Sequence, residues 1–190
     1  PSPNAEPFKL WLARVGYERL EETADPELAI NRALKTYLKK GYTPEWVNQR
    51  LKSIEIRKEL TNEWEKRGVK EGLEFAILTD EITQAWAGLT TKQYKNLKGL
   101  KKENLRDNMT NLELVLNMLA ETATKEISDK RAPKTFDQNK KVAKEGGSIA
   151  GTARRQIEKK SGRKVISRNN FRTINQQKRL KGSSAFLHKK

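Results

Sequence analysis

The stretch from residue 25 to residue 41, DPELAINRALKTYLKKG, carries a complete set of helix signals. Proline follows Asp25 at the first helical position, where its missing N–H costs no hydrogen bond. Glycine follows two lysines at the other end of the stretch, in the position that commonly ends a helix. Apolar residues recur between these ends at helical spacing, at Ile30, Ala33, Leu34, Tyr37 and Leu38. The stretch therefore predicts an amphipathic helix whose final lysines lie at the negative end of its dipole.

The same signals recur on both sides of this stretch. Thr43-Pro44-Glu45 predicts the start and Lys66-Arg67-Gly68 the end of a second helix, about six turns long. Its apolar residues fall into two opposite sets, so this helix either lies between two neighbours, which we favour, or breaks near Thr61. Upstream, an apolar stripe predicts a helix that begins near Asn4. The stripe comprises Phe8, Trp11, Leu12 and Val15.

Shorter helices are predicted in the middle of the chain. The apolar run from Leu73 to Leu78 fits a strand or a helix, and periodicity does not decide between them. Asp80 is a candidate cap for a turn that ends at Gly88, and Thr90 or Thr91 for a turn that ends at Gly99. Thr110 is the candidate cap of a long helix, whose predicted core face comprises Leu112, Val115, Leu116, Leu119, Ala123 and Ile127.

After Pro133 large aliphatic residues become scarce, and residues 136 to 160 predict a polar helix. Ala143, Gly147 and Gly151 recur every four positions and form one small-residue face. Glycine inside a helix costs about 1 kcal/mol relative to alanine. Three small residues on one face therefore indicate that another helix or a nucleic-acid backbone approaches this face closely. We favour a helix-packing or oligomer face over a phosphate cradle, because the glycines lack the order of a phosphate-binding loop.

These elements predict a mainly α protein, with a compact multi-helix domain and a basic, more extended helical C-terminal segment. We place the helical core domain at 1–131, the basic helical segment at 132–180 and a flexible tail at 181–190. Cysteine is absent and His188 is the single histidine of the 190 residues, which excludes disulfides, a thiol nucleophile and a Ser-His-Asp triad. We therefore expect no enzyme and no cofactor.

The charge of the chain is unevenly distributed. Residues 1–90 carry 14 basic and 15 acidic side chains, whereas residues 131–190 carry 18 basic and three acidic ones, a net charge of +15. Such a block attracts polyanions, of which nucleic acid is the commonest inside cells. The candidate nucleic-acid-binding residues are Lys98, Lys101, Lys102, Arg106, Arg154, Arg155, Lys159, Lys160, Arg163, Lys164, Arg168, Arg172, Lys178 and Arg179.

Several of these cations are spaced four residues apart on helical stretches and would form ridges along a phosphate track. Phe171 lies within the last cluster, where it would either stack on an unpaired base or pack against the protein. No motif for reading a base sequence is present. We therefore expect sequence-independent, salt-sensitive binding, with single-stranded DNA favoured; a solvated basic tail is the alternative.

Three segments resemble a known bacterial family. The run from Gln93 to Leu114, QYKNLKGLKKENLRDNMTNLEL, is similar to the C-terminal region of DNA-damage-inducible protein D and its Bro-type phage relatives. The stretches from Gly68 to Leu78 and from Gly146 to Gly162 resemble the same family, and the resemblance covers roughly residues 4 to 168. Family members usually begin with a Bro-type domain of the kind found in phage antirepressors. This chain begins without methionine at what resembles the end of that domain, so we expect a C-terminal fragment.

The resemblance implies induction in the bacterial SOS response and antagonism of the RecA recombinase filament on single-stranded DNA. It supplies no catalytic residues. Our leading hypothesis is a regulatory module whose basic third binds DNA or the DNA-bound recombinase, in the cytoplasm and associated with the nucleoid, and not at a membrane. The alternative is a protein–protein module of a prophage antirepressor. In that case the face of Ala143, Gly147 and Gly151 and the first helices would pair with a repressor or with a second copy in a homodimer.

Overall fold

The computed structural model describes residues 5–170, which form seven α-helices and no strand. The mainly α class is therefore confirmed. The chain divides after Val47 into two compact units. None of the helices in the described part combines the length and the apolar character that a bilayer crossing requires.

The first unit is a helical hairpin of α1 (Ala5–Ala24) and α2 (Pro26–Lys39). Asp25 caps α2, since its side chain accepts a 3.0 Å hydrogen bond from the backbone N–H of Glu27. The Arg32 Nε lies 2.6 Å from Glu22 Oε1 and ties the two helices together. Neither helix contains a buried residue. The hairpin therefore forms as the capping signals predict but encloses no core of its own.

The second unit continues α3 (Pro44–Lys66) and adds four further α-helices. They are α4 (Leu73–Ala87), α5 (Thr91–Leu97), α6 (Asn111–Arg131) and α7 (Phe136–Ser161), with one 3-10 turn at Arg106–Asn108. Helix α3 is unbroken at Thr61. The capping boxes of α5 and α6 are built on Thr90 with Gln93 and on Thr110 with Glu113, at the predicted starts of these helices.

Helix α7 packs along both α4 and α6 and is the centre of the second unit. Three glycines on two of its sides allow this. A Cβ on Gly146 would overlap the backbone of Thr124 in α6, and a Cβ on Gly147 would lie 2.7 Å from the carbonyl oxygen of Ile82 in α4. A Cβ on Gly151 would lie 2.5 Å from the Ala85 oxygen. The two compact units therefore divide after Val47 and not near residue 131, and α7 belongs to the second unit because its small faces admit two neighbouring helices.

The apolar run from Leu73 to Leu78, which periodicity left open, is the start of α4. This helix continues to Ala87, so Asp80 is no cap of a short turn. Its Oδ1 instead accepts a 2.6 Å hydrogen bond from the N–H of Thr91 and fixes the start of α5 against α4. The left-handed C′ residue Gly88 ends α4 where the sequence predicted an end.

The predicted core face of α6 is wrong in part. Leu116 is buried, but Leu112, Val115 and Leu119 are 40%, 42% and 39% exposed. The buried side is largely polar and includes Glu113, Asn117, Glu121, Thr124 and Ser128. Ionic partners from other elements, Lys98 for Glu113 and Arg106 for Glu121, make this burial tolerable.

Candidate nucleic-acid interface

A hollow of about 340 Å³ lies at the C-terminal end of α7. Gly162 adopts the left-handed conformation (φ 65°), ends the helix and turns the chain back beside the last two turns. Arg155 and Lys159 line the hollow from the helix, and Arg163 and Lys164 line it from the returning chain. Four cations therefore converge on one concave surface.

Glu158, the only carboxylate among the described residues that line this hollow, is already neutralised. Arg154 Nη1 lies 3.3 Å from both of its oxygens, and the backbone N–H of Val165 donates a 2.9 Å hydrogen bond to Oε1. Arg155 bonds only the hydroxyl of Thr152, at 2.9 Å. Lys159, Arg163 and Lys164 form no ion pair with any described residue. The hollow thus presents uncompensated positive charge to solvent.

The chain after α7 is fixed onto the end of α5 by Lys98. Its ammonium donates hydrogen bonds of 2.7 Å to the carbonyl oxygen of Asn169 and 3.3 Å to that of Ser167. The side chain of Asn170 donates in return to the Lys98 carbonyl oxygen at 2.6 Å. Arg168 is exposed within this held segment, and Lys101 and Lys102 are exposed in the loop that follows α5. The fold therefore links a second basic region to the end of α7.

Lys98 itself was predicted to contact nucleic acid, and that prediction is wrong. Its side chain has 0% exposure and its Nζ lies 2.8 Å from Glu113 Oε2, which is equally buried. Burial lowers the pKa of Lys98, an effect that the Glu113 carboxylate opposes. An ammonium without surface cannot reach a phosphate, so Lys98 serves the fold.

Two further predicted contact residues are engaged inside the protein. Arg106 donates to Glu121 and is 20% exposed, and Arg154 is bound to Glu158 and is 16% exposed. By contrast Lys101, Lys102, Arg155, Lys159, Lys160, Arg163, Lys164 and Arg168 are all exposed and remain candidates. Arg172, Lys178, Arg179, Phe171 and the tail at 181–190 lie outside the described residues.

The face of Ala143, Gly147 and Gly151 is occupied within the chain. All three residues are buried, and Gly147 and Gly151 lie directly against α4. This leaves no room on the face for a second copy or a repressor. The helix-packing interpretation describes its contacts, and the oligomer interpretation does not.

Sequence reasoning missed two cations that the structure places with the predicted ones. Arg57 of α3 lies beside Glu121, with Nη1 3.6 Å from Oε1, and Lys95 of α5 lines a cavity with Lys102 and Arg106. Lys95 carried a usable signal, because it is three residues before Lys98 on a helix whose start was predicted. Arg57 carried none, since its contact with α6 depends on how distant helices pack.

No group of three His, Cys, Asp or Glu residues between 5 and 170 is arranged to hold a metal ion. Comparison with known families shows that the model of the DinD C-terminal domain matches residues 45–170. The matched region includes α4 to α7 entirely and all but the first residue of α3. No curated protein matches the chain.

Proposed function

The chain belongs to the family of the DinD C-terminal domain, and from this premise we propose that it is a non-enzymatic regulatory module of the bacterial DNA-damage response that binds single-stranded DNA. The family makes it a DNA-damage-related protein. The finer role that we propose is antagonism of the RecA filament formed on that DNA, in the cytoplasm near the nucleoid.

The observation that carries the proposal is the uncompensated charge of the hollow at the end of α7. Arg155, Lys159, Arg163 and Lys164 converge there, and the adjacent Glu158 is neutralised by Arg154. Phosphate contacts of this type give affinity without sequence information. They also release counterions, so the affinity falls steeply with salt.

Fluorescence anisotropy with a labelled single-stranded oligonucleotide tests this proposal across a salt series. The variant replaces Arg155, Lys159, Arg163 and Lys164 with Gln. We expect weaker binding and a plot of log affinity against log salt that is shallower by about 0.7 for each lost phosphate contact. The matched control replaces four exposed lysines elsewhere, Lys130, Lys134, Lys141 and Lys144, and so removes the same charge. Equal losses in both variants would show generic attraction and contradict a defined interface.

Co-sedimentation with naked and RecA-coated single strands tests the recombinase part of the proposal. Retention on the coated strand at a salt concentration that strips the naked strand would support recognition of the filament. Equal or weaker retention on the coated strand would reduce the proposal to DNA binding.

A protein–protein module remains the second candidate because α1 exposes large apolar side chains. Phe8 and Trp11 are 60% and 55% exposed, with their ring centroids 5.8 Å apart. If this stripe binds a second copy, light scattering should give a dimer mass that survives high salt and falls to the monomer when both residues become Glu. Arg14→Glu makes the same charge change without removing an apolar side chain and is the control. A monomer at all concentrations would argue against self-association.

A further inference from the structure

A second cavity, of about 310 Å³, lies away from the end of α7. Its walls come from α4, α5, α6 and the loop between α5 and α6. The cations Lys95, Lys102 and Arg106 line it together with Thr83, Leu105 and Asn117, and no carboxylate between residues 5 and 170 does. Pockets for small ligands begin at about 300 Å³, so this cavity has room for a mononucleotide.

The positive charge around the cavity exceeds the negative charge beside it. Glu121 is 1% exposed and is shared by two guanidinium groups, those of Arg106 and Arg57. Burial, with the charge of Arg106 adding to it, lowers the pKa of Arg57 to about 10 although Glu121 opposes the shift. Lys95 and Lys102 form no ion pair with a described residue. An anion in the cavity would offset this surplus.

Neutral hydrogen-bond donors accompany the cations. Asn117 is 2% exposed and lines the cavity, yet its side-chain NH2 donates to no described residue. The Nε of Arg106 is likewise buried without an acceptor. Both nitrogens are covered by protein atoms, as is the unpartnered Glu121 Oε2, so a ligand in the cavity meets the ammonium groups of Lys95 and Lys102 rather than these donors. Phosphate oxygens accept hydrogen bonds and carry the compensating charge.

We propose that this cavity binds the phosphomonoester group of a nucleotide, with Lys95, Lys102 and Arg106 facing the phosphate oxygens. The apolar walls formed by Leu105 and Met109 accommodate the less polar part of the ligand. The same chemistry is offered by a free nucleoside monophosphate and by the 5′-phosphorylated end of a DNA strand. The site is separate from the hollow at the end of α7.

Isothermal titration calorimetry of the whole chain with deoxyadenosine 5′-monophosphate tests the proposal, with deoxyadenosine as the ligand that lacks phosphate. We expect the monophosphate to bind at least tenfold more tightly than the nucleoside. Lys95→Gln and Lys102→Gln should each weaken that binding several-fold. Lys92→Gln, on the same helix but outside this cavity, should leave it unchanged. The four-residue Gln variant of the hollow should also bind the monophosphate normally, which separates this site from the proposed interface.

Three results would each overturn the proposal. They are equal binding of nucleotide and nucleoside, no heat at millimolar nucleotide, and a loss of affinity in Lys92→Gln equal to that in Lys95→Gln. Oligonucleotides of one sequence with a 5′-phosphate or a 5′-hydroxyl distinguish the sources. A preference for the phosphorylated strand that Lys95→Gln abolishes identifies a strand end, and its absence identifies the free nucleotide.

Discussion

The ion pair of Lys98 and Glu113 joins three parts of the second unit. Glu113 Oε2 also accepts a 2.7 Å hydrogen bond from the N–H of Thr110, and Oε1 accepts one of 3.2 Å from that of Ser167. One carboxylate therefore caps α6, neutralises the end of α5 and holds the chain after α7. The i, i+4 spacing of Lys98 with Lys102 predicted a shared exposed face, but spacing alone does not say which side of α5 faces the core.

Lys98→Met should lower the free energy of unfolding by about 3 kcal/mol, because it leaves a buried carboxylate without its counter-charge. The double variant Lys98→Met with Glu113→Gln should recover part of that loss, since both charges are then gone. Urea denaturation measures both, and Lys92→Met, at an exposed site on the same helix, should be nearly neutral. A double variant that is less stable than Lys98→Met would show that the carboxylate is needed for its hydrogen bonds rather than for the pair.

The buried hydroxyl of Tyr94 should make the stability of the fold depend on pH in the alkaline range. Burial raises the pKa of its hydroxyl well above the ordinary value of 10.0, and the charge of Glu113 adds to the effect. A folded-state pKa above the unfolded value means that the stabilisation is complete below pH 10.0 and is lost as the pH rises above it. Tyr94→Phe should therefore lose less stability than the wild type above that pH, by about 1.4 kcal/mol for each pH unit.

The comparison uses urea midpoints of the two proteins at pH 8 and at several alkaline values. Because the Tyr94 hydroxyl makes no hydrogen bond of ordinary geometry, although the Glu113 carboxylate lies near it, we expect Tyr94→Phe to be close to neutral at pH 8. Parallel losses in both proteins above pH 10 would mean that Tyr94 ionises in the folded state as it does in the unfolded chain.

At the scale of elements, α7 depends on glycines that have no room for a methyl group. Gly146→Ala should lower the free energy of unfolding by more than 2 kcal/mol, although alanine favours a helix by about 1 kcal/mol over glycine, because its Cβ would push against the backbone of Thr124. Ser148→Ala is the control at an exposed position two residues away. Thermal unfolding followed by circular dichroism measures both, and a stabilised Gly146→Ala would place α6 farther from α7.

Helix starts and ends could be predicted here because capping is local. Thr90, Thr110 and Gly162 fulfil their roles within one turn of chain. The buried side of α6 could not be predicted by counting aliphatic residues. Glu121 is buried there only because Arg57 and Arg106 arrive from elements far away in sequence. The same reason explains why Lys98, whose partner Glu113 belongs to another helix, was not distinguished from the exposed cations. Arg154 differs, because it pairs with Glu158 four residues later in its own helix, a local signal that the sequence carried.

At the scale of the whole molecule, charge and packing are divided between different parts of the chain. The hairpin of α1 and α2 has no buried residue, whereas the buried side chains begin at Trp46 and continue to Asn170. The family match begins at residue 45, close to the division after Val47. These coincident limits indicate that the second unit carries its own stability.

A fragment of residues 44–190 should therefore fold alone. Its melting temperature should lie within about 5 °C of that of the whole chain. Removing the hairpin costs the ring contacts of Trp46 with Tyr37 and Tyr42, whose centroids lie 5.8 and 4.0 Å away. A loss of about 1 kcal/mol shifts the melting temperature of a domain of this size by a few degrees. Differential scanning calorimetry of both proteins gives the comparison. A peptide of residues 1–43 should show little helix, since short helices without burial are marginal in water. A fragment that melts without a cooperative transition would mean that the hairpin completes the core of the second unit.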